Sequence, residues 1–414
     1  MEENKKKILR NEIDKNKGIL RLVPTWVTQK YIKPGKRLKL HPKDYYPFGI
    51  ERGAVTQRWL SSTVSISDGD KETKEGYSYI YIKDGEQVHK ILLKEAIEEL
   101  MGDIIIGKKQ MEKYGKWMTL AKFFDNAGPL PFHLHPKDEV AKDMGKIGKH
   151  EAYYFPLQFN LIEYEWSYTY IGLLPSVRRE MIADCLKKWN TENNDILKFS
   201  RAYKITPQTG WYVPAGVLHA PGSLVTYEVQ RATDISIRFQ NVVNECWIPW
   251  ENAMKDLPPE KKNDIEYIID LVDWGKNIIP DFSRDYYIEP IPVRPVEEMI
   301  EEGYIEKWVV YGTEYFSAKE LIVFPKKEVI IKDNAPYGFI LIQGRGSING
   351  VKVETPSLIR YGELTADEGF VVEEAAKEGV KILNESECEN LVLLKHFGPE
   401  NPDAMHLIKN SLNI

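Results

Sequence analysis

The chain has 414 residues, more than one hydrophobic core serves, so two domains are expected. A hydrophobic fraction of 43% and a charged fraction of 29% are those of a soluble globular protein, and a net charge of −6 without a long basic block excludes a nucleic-acid partner. No apolar run reaches the roughly 18 residues of a membrane span, which excludes a spanning helix.

Met1 to Lys7 is charged and is not followed by an uninterrupted apolar region, so no signal peptide is expected. Cys185, Cys246 and Cys388 are scattered and odd in number, which suits neither a disulfide framework nor a zinc knuckle. A reducing, cytoplasmic location is the expectation.

Residues 1–50 carry charge, Pro34, Pro42 and Pro47, and the loop-forming Lys33-Pro34-Gly35-Lys36. They are expected to form an arm and a strand wrapping the first domain. Residues 56–63 make an aromatic strand around Trp59, and residues 78–82 alternate weakly as another. Leu92, Leu93, Ala96, Ile97 and Leu100 recur at spacings of three and four, which predicts a helix over 90–101. Residues 117–124 read as a buried strand containing Lys122. Lysines ordinarily stay solvated, so Lys122 is either functional or an edge lysine whose stem packs while its amine reaches water.

Pro131-Phe132-His133-Leu134-His135-Pro136 follows. Residues i and i+2 of a strand project from one face, so His133 and His135 aim to one side. Pro136 has no N–H to donate and ends the ladder. Two imidazoles with a carboxylate can hold a borderline metal ion, and a fourth ligand would complete the protein's share. Glu139 and Glu151 are both candidates for the carboxylate. Glu139 falls in a charged, Gly-containing stretch that reads as a solvated loop, which favours Glu151 in Gly148-Lys149-His150-Glu151. His150 neighbours Glu151 and so points to the opposite face. The fourth candidate is His219, at the end of Trp211-Tyr212-Val213-Pro214-Ala215-Gly216-Val217-Leu218-His219.

Between these motifs, residues 173–200 read as a helical insertion, with Met181, Ile182, Cys185, Leu186 and Trp189 on an apolar face. Residues 225–238 alternate as a strand, with Thr226, Glu228 and Gln230 on one side and Tyr227, Val229 and Arg231 on the other. Residues 251–274 carry an amphipathic helix, and Pro280, Pro290, Pro292 and Pro295 mark an extended linker. Strands resume from Trp308. Residues 339–350 read as strand-turn-strand, and Asn349-Gly350 is a strong turn signal. The histidines of this half, His396 and His406, lie far apart and form no metal pattern.

His133-Leu134-His135 and the later Pro214-Ala215-Gly216-Val217-Leu218-His219 resemble the two motifs of the cupin superfamily. Leu130 to Pro136, Gly148 to Tyr154 and Val213 to Ala220 together resemble the type I phosphomannose isomerases. The likeness is good over residues 119–241, thinner over 57–63 and weak elsewhere. It implies a mainly β fold of two cupin (jelly-roll) β-barrels with helical insertions and a helical linker. The divisions are 1–250 for a metal-binding barrel with an insertion around 173–200, 251–300 for a helical and proline-rich linker, and 301–414 for a degenerate barrel.

The resemblance further implies a metal-dependent aldose–ketose isomerase acting on mannose-6-phosphate or a related sugar or sugar phosphate. His133, His135, Glu151 and His219 would bind one divalent ion, zinc first, with manganese, iron, cobalt or nickel as alternatives. Lys122 would help hold a phosphate, Arg238 would face the developing enediolate, and Glu228 or Lys149 would move the proton. Three positions depart from the family pattern. Gln57 stands where the family has Glu two residues before Trp, Pro131 replaces a serine, and His133 replaces a ligand glutamine. A sugar-binding cupin without turnover and a metal-dependent oxygenase are the competing readings. No membrane partner is expected, and the oligomeric state is left open.

Overall fold

Thr119–Phe124 is buried throughout and Thr226–Arg231 is buried up to its last residue, and they form the middle of a seven-stranded sheet. The computed structural model describes residues 2–66, 74–161 and 167–408. Within them the protein is mainly β, and its named strands pair antiparallel. The seven-stranded sheet runs Tyr287–Ile288, Gly210–Val213, Glu151–Tyr154, Thr226–Arg231, Thr119–Phe124, Ala54–Leu60 and Thr25–Gln29. A five-stranded sheet runs Ser200–Lys204, Tyr168–Leu173, His219–Ala220, His133–Leu134 and Ile237–Arg238. Side chains of Glu151 from the first sheet and of His135 and His219 beside the second meet within hydrogen-bonding distance.

The C-terminal half is a nine-stranded sheet and a four-stranded one. The larger has Tyr304–Val310, Ser317–Val323, Leu391–Phe397 and Tyr337–Gln343 side by side near one edge. None of these sheets closes on itself among the described residues. Asn349 (φ +48°) and Gly350 (φ +85°) make the expected turn between Arg345–Ile348 and Val351–Glu354, because two successive positive φ values match the twist of the flanking strands.

Two expectations are corrected. The N-terminal segment joins the first half only from Thr25–Gln29, which pairs with Ala54–Leu60. It opens with the helix Glu2–Lys15, whose Leu9 and Ile13 pack into the C-terminal core. Ile19–Val23 then pairs with Glu368–Val371 of the nine-stranded sheet. Helical turns begin at Leu93 rather than at residue 90, because Gln87–Leu92 is held in register against Tyr79–Asp84.

The two halves share a core. Trp26, Val55, Phe123 and Tyr227 pack in one apolar cluster with Val309, Ile340 and Leu394. Arg58 of Ala54–Leu60 is buried and reaches across to a carboxylate pair. It contacts Asp367 at 2.8 Å through both terminal nitrogens and Glu368 at 3.0 Å. The helix Arg179–Lys187 buries Ile182, Ala183, Cys185 and Leu186, as the apolar face of the insertion predicts. The proline-rich stretch is tied down at both ends: Tyr287–Ile288 pairs with Gly210–Trp211, and Ile291–Pro292 with Trp308 and Lys307. No described helix is long and apolar enough to cross a membrane.

Candidate metal centre and active site

His133 and His219 are direct partners across adjacent strands, and their ring centroids lie 4.2 Å apart. His135, one residue past the same strand, has its ring 4.9 Å from His133 and 5.1 Å from His219. One nitrogen from each of the three rings lies within 4.8 Å of the others. Gly216 (φ +82°) makes the turn that brings the chain back to His219, in a conformation that side chains rarely adopt.

The backbone orients all three rings. Nδ1 of His133 lies 2.6 Å from the Pro131 carbonyl, Nδ1 of His135 2.6 Å from that of Ile235, and Nδ1 of His219 2.9 Å from that of Val217. A carbonyl only accepts, so each Nδ1 carries a proton, and in the neutral ring Nε2 is the nitrogen that presents a lone pair. Burial holds His133 well below its ordinary pKa and lowers His135 to about 3, which keeps both neutral.

Glu151 enters from the other sheet and is buried. Its Oε2 lies 3.0 Å from His135 Nε2, and its Oε1 lies 3.0 Å from His219 Nε2. His219 Nε2 has no hydrogen-bond partner among the described residues. Carboxylate oxygens thus face imidazole lone pairs, an arrangement that repels unless a cation lies among them. Burial raises the energy of the Glu151 charge, yet the Lys149 ammonium holds its carboxyl well below the usual range. Three imidazoles and a carboxylate, with carbonyls fixing the outer ring nitrogens, suit a divalent transition ion. Glu139 is elsewhere: it is exposed on the helix Asp138–Asp143.

Next to this group lies a row of cations and acids on one strand face. Glu228 pairs in register with Lys122 on one side and Tyr153 on the other. Glu228 Oε1 is 3.0 Å from Lys122 Nζ and 3.2 Å from Lys149 Nζ. Lys149 Nζ also lies 2.7 Å from Glu151 Oε2 and 2.9 Å from His135 Nε2. Burial lowers the Lys122 pKa and raises that of Glu228, with the nearby Glu151 charge adding to the rise. Burial opposes the Lys149 charge, but the Glu151 and Glu228 carboxylates hold it above the ordinary lysine value.

A cavity of about 220 Å³ opens beside the group, with His133, Lys122, Arg238, Gln57 and Trp59 in its wall. Arg238 is the strand partner of His133 and donates weakly to the Asn252 carbonyl at 3.4 Å. Trp59 Nε1 donates to Gln57 Oε1 at 2.7 Å. His150 turns away, with Nδ1 2.7 Å from the Tyr212 hydroxyl and its ring stacked on Tyr315. Sequence reasoning missed three neighbours. The Tyr153 hydroxyl donates to Glu151, and Arg52 and Asp234 line the cavity. Tyr153 was findable, since it stands two residues after Glu151 and so shares its strand face.

No protein-family model matches the sequence, and no curated protein matches it either. Solved structures do. The mannose 6-phosphate isomerase from Bacillus subtilis superposes with a TM-score of 0.58 at 18% identity, over 92% of this chain and 99% of that one. A variant of the phosphomannose isomerase from Salmonella typhimurium superposes with a TM-score of 0.61 at 11% identity, over 92% and 100%. A mannose 6-phosphate isomerase bound with zinc and yttrium gives 0.57 at 12% identity, over 92% and 100%. The chain has the fold of the phosphomannose isomerase structures along nearly its whole length.

Proposed function

We propose that this protein is a metal-dependent aldose–ketose isomerase acting on mannose-6-phosphate or a related sugar or sugar phosphate. The observation that carries the reading is the convergence of His133, His135, Glu151 and His219 on one point beside a cavity walled by Lys122 and Arg238. The shared fold supports it. On this reading 1–250 and 301–414 would each be a jelly-roll unit joined by 251–300, with Ile19–Val23 lent to the second.

His133, His135, Glu151 and His219 would hold the divalent ion, zinc first. When bound, it would supply Lewis acidity to the sugar oxygens flanking the exchanged proton. Isomerisation moves a proton between adjacent carbons and passes through an enediolate. Arg238, on the cavity wall beside His133, faces that developing negative charge. Glu228 or Lys149 moves the proton, with Glu228 held between two ammonium groups. Lys122, in the same wall, offers a positive charge to a phosphate.

The test is metal analysis of purified protein together with a proton-exchange screen of hexoses and hexose phosphates in deuterated water. Exchange at the carbon beside the carbonyl, dependent on a divalent ion, is expected. If no hexose or hexose phosphate exchanges under any divalent ion, the isomerase reading fails.

A further inference from the structure

The C-terminal sheet repeats the Trp–Lys pairing of the active-site sheet in a comparable row of four strands. In the first, Trp59 pairs with Lys122, Lys122 with Glu228, and Glu228 with Tyr153 across four neighbouring strands. In the second, Trp308 pairs with Lys319, Lys319 with Lys395, and Lys395 with Phe339 across four strands in the same antiparallel order. Each tryptophan follows a hydrogen-bonding side chain by two positions, Gln57 in one and Glu306 in the other. The second row therefore has a pocket's polar wall without histidines.

That wall carries four buried charges, none more than 4% exposed. Asp333 lies 2.6 Å from Lys319 Nζ and 2.7 Å from Lys395 Nζ. Glu306 lies 2.5 Å from Lys395 and 3.7 Å from Lys319. Burying an ion costs several kcal/mol, and a similar volume of apolar side chains generally serves stability as well or better. The fully buried Tyr337 hydroxyl has no hydrogen-bond partner among the described residues. A cleft of about 480 Å³ leads to the cluster and is walled by Glu306, Trp308, Lys319 and Tyr304.

We propose that this cleft is a second, metal-free binding site for a neutral polyhydroxylated ligand, a sugar or polyol. Two ammonium groups and two carboxylates sum to zero, so a charged ligand would unbalance the cluster while hydroxyl groups can both donate to Glu306 and accept from Lys319. Trp308 and Tyr304 line the cleft beside these charges. At the mouth Arg294 is engaged by Glu298 and Glu302, and Asp403 by Asn334, while Lys332 and His406 also line it.

The test is fluorine NMR on the metal-loaded full chain labelled with fluorotryptophan, the Trp308 and Trp59 signals being assigned by Trp308→Phe and Trp59→Phe. D-Mannitol is the probe, since it lacks a carbonyl and cannot turn over. A saturable shift of the Trp308 signal is expected, and Glu306→Gln or Lys319→Met should weaken it by about tenfold to a hundredfold by leaving a polar partner unmatched. The wild-type titration stands even if either variant fails to fold. A Trp308 signal that ignores mannitol, mannose and inositol to their solubility limits overturns the site. A Trp308 signal that answers to inorganic phosphate and to none of these overturns the ligand class.

Discussion

His219 Nε2 and Glu151 Oε1 stand 3.0 Å apart, and in the neutral ring both are acceptors, because the proton on Nδ1 goes to the Val217 carbonyl. A contact of this kind is unfavourable in the protein interior until a cation joins it. His135→Ala should abolish stoichiometric metal, and Glu151→Gln should lower it sharply, whereas Glu139→Gln should leave it unchanged. Chelation should lower the unfolding free energy by about 2.7 kcal/mol if the free ion stood at a hundred times its dissociation constant. Metal analysis and thermal unfolding check both, and full metal in the His135 variant would refute the centre.

Arg238 reaches the cavity from the strand beside His133 yet, among the described residues, holds only a long bond to Asn252. It is therefore free to meet charge that develops on substrate. Removing a donor aimed at such charge costs on the order of 10²–10³ in turnover. Arg238→Ala should lose about that factor in kcat with its metal content intact.

Lys122 should act on substrate binding more than on chemistry. With Lys122 replaced by Ala, Glu228 still keeps Lys149 at 3.2 Å. KM for a phosphorylated sugar should rise while that for a free sugar barely changes, since a point charge on phosphate is held in ground and transition states alike. Equal rises for both sugars would show that Lys122 serves the Glu228 charge instead.

His396 predicts a pH dependence of stability remote from the metal centre. It is fully buried, its Nδ1 lies 3.0 Å from the Tyr227 hydroxyl, and burial lowers its pKa to about 3. The folded pKa lies below the unfolded one, so the folded state favours the neutral ring. This contribution is fully present above about pH 6.5 and is lost as pH falls toward about 3. In denaturant unfolding between those values, the wild type should lose about 1.4 kcal/mol per pH unit more than His396→Asn. Parallel pH profiles for the two proteins would rule this out.

What the sequence by itself determined is local. His133 and His135 share a side because a strand repeats every two residues, and Pro136 ends the ladder because it has no N–H. The Pro-x-Gly turn before His219, the apolar face of residues 179–187 and the Asn349-Gly350 turn are likewise set within a few positions. The tertiary structure decided what depends on strands far apart in the chain. Glu151 faces His135 and His219 because Glu151–Tyr154 is held in register by Gly210–Val213 on one side and Thr226–Arg231 on the other, while one helical turn carries Glu139 into solvent. The same holds for Ile19–Val23 joining the C-terminal sheet, and for Lys319 meeting Lys395, Asp333 and Glu306 in its interior. Register is set by burying whole sheet faces at once, a sum over many strands that no residue's sequence neighbours contain.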